Sequence, residues 1–439
     1  MKPAGIACLV VLLSCLPAAQ AVTLDECISV TLRNNPDIRG ATERVQAATA
    51  AIMAAKSAYY PMLGASVAYA RTDNPPQAFM MMLNQRNVSM QADFNNPPDT
   101  ENLVLSLVLK YRLCDFGRRG LDNEMARGGA EVSRLLLRGL QNNLIHQVTR
   151  GYYSVLQAGA FVSVQEEAVK TLEESLRVAG ERLKAGGLVK TDVLNLEVHL
   201  AQAKDDLIRA RNGVKLSLAA LNAAIGTNLV EFSSMATKIN TPEIRPLVNE
   251  DLTVIRNRPE LKASRKVAEI QEIALSRARR EYFPTVNAFG SMDWNSDVST
   301  DFQGSYVVGV AAEVDLFDGF RRGAAVSGAT ARRSEADSGV ETATANLRLD
   351  LATASLQAGE ARERMDVVQK SIESAEEALR ITQQRYQLGA ADLPELLTAQ
   401  TGLAGMRTRN VAALYDYMIA LSNLERARGQ LVDRYVKDE

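Results

Sequence analysis

Two kinds of hydrophobic period divide this chain. Period two appears in short runs. Leu103, Leu105, Leu107, Leu109, Tyr111 and Leu113 alternate with Val104, Ser106, Val108, Lys110 and Arg112. Tyr306, Val308, Val310, Ala312, Val314 and Leu316 alternate with Ser305, Val307, Gly309, Ala311, Glu313 and Asp315. Leu63, Ala65, Val67 and Tyr69 repeat the pattern more weakly. Successive side chains of a strand point to opposite faces, so each run predicts a strand with one apolar and one more polar face. Strands are expected at about 61–71, 103–114, 284–294 and 305–317. Each is about the length of a tilted strand crossing a bilayer. A half-buried strand in a water-soluble sheet gives the same pattern.

The helical period is longer. Val193, Leu196, Leu200, Ala203, Leu207, Ala210, Val214, Ser217 and Leu221 recur at spacings of three and four, a coiled-coil seam. Leu396, Ala399, Leu403, Met406, Ala413, Tyr417, Ala420 and Leu424 repeat it, with Asn410 as a polar break. Helices are predicted over 36–58, 117–184, 190–226, 259–281, 320–387 and 393–428. No proline interrupts Leu121 to Lys184, a stretch that would reach about 96 Å as one helix. Its glycines, among them Gly128, Gly129, Gly151 and Gly180, mark bends or close contacts. Thr23 and Glu26 form a capping box for a shorter first helix. Pro36 suits the start of the next helix, and Pro61 stops it.

These elements occur twice. Leu113-Cys114-Asp115-Phe116-Gly117-Arg118-Arg119-Gly120 falls on Leu316-Phe317-Asp318-Gly319-Phe320-Arg321-Arg322-Gly323 at an offset of 203. Arg182 and Gly186 fall on Arg385 and Gly389, and Asp192-Val193-Leu194 on Glu395-Leu396-Leu397. Upstream the offset is 223, where Asn35-Pro36-Asp37 meets Arg258-Pro259-Glu260 and Tyr59-Tyr60-Pro61 meets Tyr282-Phe283-Pro284. The difference places a longer loop in the first copy, at Asp73 to Thr100, a stretch with no period; Asn295 to Gly304 is its short equivalent. Units this long exclude a solenoid. The division is 22–226 for the first repeat, 227–252 for a linking segment, 253–430 for the second repeat and 431–439 for a tail.

Composition narrows the setting. Residues 1–21 read as a secretory signal, with Lys2, an apolar run from Ile6 to Leu16, and Ala19-Gln20-Ala21 as the cleavage site. A lipoprotein reading would use Cys15, though Leu13 fits that pattern poorly. Beyond it no apolar stretch reaches the roughly 20 residues of a membrane helix. A net charge of −2 gives no basic field, so nucleic acid is not expected as a partner. Cys27 and Cys114 have no counterparts in the other repeat, and His146 and His199 stand alone, so no metal site or cofactor is expected. No catalytic motif appears, and the chain does not read as an enzyme. Four strands are too few to close a barrel, and an open edge in lipid leaves unpaired backbone groups. If the strands lie in a membrane, several chains must share one barrel.

The duplicated strand-to-helix junctions, and the turns Arg182-x3-Gly186-x5-Asp192 and Arg385-Tyr386-x2-Gly389-x5-Glu395, resemble those of TolC-type outer-membrane efflux factors. The resemblance covers nearly all of the chain after the leader. It implies a mostly α fold with a β-barrel part: a homotrimer whose four strands per chain make a 12-stranded outer-membrane barrel, continuous with a periplasmic α-helical, coiled-coil barrel. The implied function is a passive duct carrying drugs, metals or proteins. Its implied partners are the lipid bilayer, a periplasmic adaptor protein and an inner-membrane pump of resistance-nodulation-division or ABC type. A type I protein secretion duct and a soluble periplasmic coiled-coil scaffold are the alternatives. Glu395, Thr398, Asp192 and Asn195 then fall at the pore constriction, where Thr398 departs from the doubled acid of the best-known member. A helix-start carboxylate is the other reading of Glu395. Arg182, Gly186, Gly187, Leu188, Arg385, Gly389 and Leu393 become candidate adaptor contacts, or simple turn chemistry. Lys110, Arg112, Glu313 and Asp315 are placed in the barrel lumen, because lipid would not accept them. Asp115 and Asp318 read as helix caps, and Tyr111, Trp294 and Tyr306 as an interfacial belt or buried aromatics.

Overall fold

A computed structural model describes residues 22–89, 91, 93, 95–227, 230–231, 235, 253–297 and 301–436. The leader, Cys15 and most of the linking segment 227–252 lie outside the described residues. The chain forms two compact units, one of residues 41–137 and 259–344, the other of the remaining segments.

The first unit carries a four-stranded antiparallel sheet in the order β1 (Met62–Thr72), β2 (Thr100–Cys114), β3 (Thr285–Ser296), β4 (Gln303–Glu313). The sequence predicts a structureless loop after β1, but a helix forms there, Pro75–Asn84. Asn74 caps it by accepting from the Gln77 amide, and two prolines open it. Ten residues are too few to show a helical period among so many prolines and amides, which is why the pattern missed it. The last strand is also shorter than expected and ends at Glu313. Its neighbour Thr285 follows Pro284, which has no N–H with which to extend the ladder.

The second unit is helical. Numbered along the chain, its elements are α1 (Leu24–Asn34), the start of α2 (Pro36–Ser57), α5 (Lys190–Ile225), α6 (Thr253–Arg256), α9 (Leu393–Arg428) and α10 (Leu431–Tyr435), with the lower parts of α4 (Arg118–Lys184) and α8 (Arg321–Gln387). The helix in the β1–β2 loop is α3, and α7 spans Pro259–Arg279 in the sheet unit. Its glycines do not break α4, which runs unbroken for 67 residues. Two of them permit close approach instead. A Cβ on Gly151 would lie 3.2 Å from Leu221, and one on Gly128 would lie 2.7 Å from Ile270.

Ile28, Ile145, Val148, Val155, Leu221, Ile225 and Leu431 form the main core of this unit. Above it the duplication is visible in atomic detail. The Asn35 amide donates to the Ala224 carbonyl at 2.9 Å, beside the left-handed cap Gly226. One repeat on, the Arg258 guanidinium donates to the Ala427 carbonyl at 2.6 Å, beside the left-handed cap Gly429. Arg258 and Arg426 share Asp350, at 3.3 and 2.5 Å. Burial pushes the Cys27 thiol up to about 11 and the His146 imidazole down to about 4, with Arg426 and Arg150 adding to the latter. Both groups are neutral near pH 7 and structural in character.

Candidate functional site

The predicted functional residues gather in two places, the sheet and a pair of helical turns. In the sheet, the pairing register aligns like with like. Leu63, Leu109, Gly290 and Val308 stand in one row, and Ala65, Leu107, Met292 and Tyr306 in the next. On the opposite face Ser66, Ser106, Asp293 and Ser305 form a row, with Ser106 donating to Asp293 at 2.5 Å. Lys110, Arg112 and Glu313 lie on this polar face, opposite Phe289, Asn287 and Thr285. Asp315 does not. It sits past the end of β4 in the turn before α8, with its carboxylate 3.4 Å from Arg321.

Where strands meet helices, two motifs far apart in the chain become one joint. Asp115 accepts from the amides of Gly117 and Arg119 at 3.1 and 3.0 Å, capping α4. Arg119 pairs with Asp115 at 3.1 Å, donates to the carbonyls of Arg112, Leu113 and Ala58, and lies 5.1 Å over the Tyr59 ring. The second copy repeats this. Arg322 pairs with Asp318 at 2.8 Å, donates to the Asp315 carbonyl and lies 4.9 Å over Tyr282. Burial alone would raise the Asp318 carboxyl, but hydrogen bonds and charge from Arg322 hold it below the ordinary range.

The two copies order Phe and Gly differently, yet both residues of each pair adopt positive φ: Phe116 and Gly117, then Gly319 and Phe320. Each phenylalanine accepts a backbone conformation that costs about 1 kcal/mol, and each gains an aromatic neighbour. Phe116 stacks on Phe283 at 5.3 Å, and Phe320 meets Phe317 edge-on at 5.5 Å.

These joints also supply aromatic surface that the sequence reading did not pick out. Tyr60, Phe116, Phe283, Phe317 and Phe320 are all exposed at the helix end of the sheet, Phe320 by 80%. Trp294 and Tyr306 stand on the apolar face toward the other end, and Tyr111 toward the helix end. Aromatic side chains thus stand toward both ends of the sheet. The available signal was the repeat of Tyr59-Tyr60-Pro61 as Tyr282-Phe283-Pro284 and of Asp115-Phe116-Gly117 as Asp318-Gly319-Phe320.

The second place is the turns. Gly186 has φ 76°, the Gly187 amide bonds the Arg182 carbonyl at 2.9 Å, and the Gly186 amide bonds Leu183 at 3.0 Å. Gly389, Ala390 and Arg385 form the same cap, at φ 75° and 2.8 Å. Only glycine takes this left-handed position without strain. The two turns touch. Arg182 lies 4.7 Å over the Tyr386 ring, and Leu188, Val193, Leu196 and Leu393 join one apolar cluster. Glu395 is in the first turn of α9, capped by Asp392, and its carboxylate is bonded by Arg385. Thr398 turns its hydroxyl back to the Pro394 carbonyl at 2.8 Å. Asp192 is half-buried and Asn195 exposed at the start of α5. Tyr386, quoted in the turn motif but not among the candidate contacts, joins the two turns. Among the described residues no cluster of metal-ligating side chains occurs, and no helix is long and apolar enough to cross a membrane.

A four-stranded antiparallel sheet, apolar on one face, leads through the two capped joints into helices of 67 residues each. The model of the outer membrane efflux protein family matches residues 27–227 and 253–430, and the chain belongs to that family. It is similar to Protein CyaE of Bordetella pertussis, 23% identical over 93% of this chain and 84% of that protein. It is also similar to the outer membrane protein TolC of Vibrio cholerae, 20% identical over 96% and 94% of the two chains. The fold matches the crystal structure of the Campylobacter jejuni CmeC outer membrane channel with a TM-score of 0.81, at 16% identity, over 93% of this chain and 85% of that one. The protein is an outer-membrane duct component of efflux or secretion systems, in a family of passive channels.

Proposed function

We propose that three copies of this chain complete a 12-stranded barrel, and that their helices continue it as a periplasmic duct engaging an adaptor protein and an inner-membrane pump. One observation carries this. The sheet is apolar on one face, yet β1 and β4 each have an unpaired edge. In hydrocarbon every unpaired backbone group costs several kcal/mol. Pairing β4 of one copy with β1 of the next removes both edges. Lys110, Arg112 and Glu313 then line the lumen, which supports the same closure.

The paired turns are the constriction and adaptor surface in this reading. Glu395 and Arg385 form a charge pair on each copy, with Asp192, Asn195 and Thr398 beside the same path. Arg182, Gly186, Gly187, Leu188, Gly389 and Leu393 shape the rounded surface that an adaptor tip meets. Reconstitution in planar bilayers tests the proposal. Discrete single-channel openings are expected. Absence of conductance, together with release of the protein from membranes by an alkaline wash, would identify a peripheral scaffold instead.

A further inference from the structure

The long β1–β2 connection lies on the polar face of the sheet rather than standing clear of it. Gln85, only 5% exposed, donates from its amide to the Glu101 carbonyl at 2.6 Å and to Asn102 Oδ1 at 3.1 Å. Asn102 in turn donates to Asn295 at 2.9 Å. By register, Asn102 and Asn295 belong to the face that carries Ser106, Asp293 and Lys110. All three amides are buried in a single copy of the chain. Arg86 then donates to the Gly304 carbonyl at 3.1 Å, carrying the loop across to β4. Arg86 holds φ 55°, a conformation that non-glycine residues adopt only when their surroundings fix it. The α3 helix buries Ala78 and leaves Met80 and Leu83 exposed, at 55% and 43%.

We infer that this loop narrows the outer mouth of the duct and limits the size of what passes. The inference rests on the three-chain barrel proposed above. Twelve strands about 4.8 Å apart, tilted by about 40°, enclose a cylinder about 24 Å across between backbones. A helix with its side chains is about 10 Å wide. Three such helices laid over one cross-section leave a narrow gap, rimmed by Met80 and Leu83. An apolar rim of this kind also resists wetting. The second repeat offers no equivalent. Its strands end at Ser296 and resume at Gln303, a connection shorter than the ten residues of α3. The mouth therefore carries three covers, one per chain.

A thiol placed below the loop reads the mouth separately from the helical turns. With Cys114 changed to Ser, Ser66→Cys puts a thiol on the polar face. A small maleimide and one carried on a bulky polymer are added from outside to intact cells. In the parent the small reagent reacts and the bulky one is slow. Releasing the loop with Gln85→Ala and Arg86→Ala is expected to speed the bulky reagent by about tenfold while leaving the small one unchanged. Met80→Trp should slow both. Equal bulky-reagent rates in parent and released variant overturn the inference. The mass of each variant in detergent is measured alongside. Three chains with equal rates remove only the loop's role, whereas a single chain removes the barrel reading and the inference with it.

Discussion

Arg119→Ala should be among the most damaging single substitutions in this protein. The side chain is almost buried, and it holds Asp115, three backbone carbonyls and the face of Tyr59. Its loss strands the Asp115 carboxylate, 3% exposed, without its counter-ion. Removing one partner of a buried pair costs about 3–5 kcal/mol, because the remaining charge stays desolvated. That is a large part of the roughly 5–15 kcal/mol that holds a typical domain. Arg119→Lys keeps the charge but not the fork that reaches several carbonyls, and should fall between. Arg322→Ala should cost less, since its guanidinium reaches one backbone carbonyl, that of Asp315, and its aspartate is less buried. Thermal unfolding in detergent ranks the three variants. If Arg119→Ala melts with the parent, the joint is not a structural anchor.

Charge at the paired turns should control ion preference, with a sign that the ion pair decides. Glu395 is bonded to Arg385 of the same chain, so each copy presents a nearly neutral pair. In the proposed trimer, Glu395→Gln leaves three uncompensated guanidinium groups around the proposed constriction and should favour anions. Arg385→Ala leaves three carboxylates and should favour cations. Three unit charges about 6 Å from a passing ion contribute roughly 2 kcal/mol in water, about halved by physiological salt; ions of one sign are favoured about fivefold and those of the other disfavoured equally, for about a thirtyfold change in permeability ratio in each direction. The double variant should return near the parent. A bare acidic gate predicts something different: Arg385→Ala without effect, and Glu395→Gln simply less cation-selective. Reversal potentials under a salt gradient separate these outcomes.

Much of the architecture was legible because two periods and a duplication agree. The alternation at Leu103 to Leu113 lies within β2, and the three-four seam from Val193 lies along α5. What escaped was set by partners distant in sequence. Nothing near Val314 announces the end of β4; Pro284, just before β3, does. The loop helix was hidden because its order comes from Gln85 and Arg86 gripping β2 and β4. Arg119 and Tyr59 were both visible as repeated motifs, but no local pattern says that residues 60 apart share one joint. The pairing of Arg385 with Glu395 was likewise unreadable, since a ten-residue spacing across a turn carries no period that signals contact. Repetition helped most where it was imperfect: the swapped Phe-Gly and Gly-Phe pairs show that backbone conformation, rather than side-chain order, is the shared requirement.

The mass of the purified protein in detergent bears most directly on whether neighbouring chains complete the wall. Three copies in one heat-labile complex, dissociating to single chains on boiling, is the predicted result. A single chain that stays folded and dispersed after the detergent is removed would contradict it.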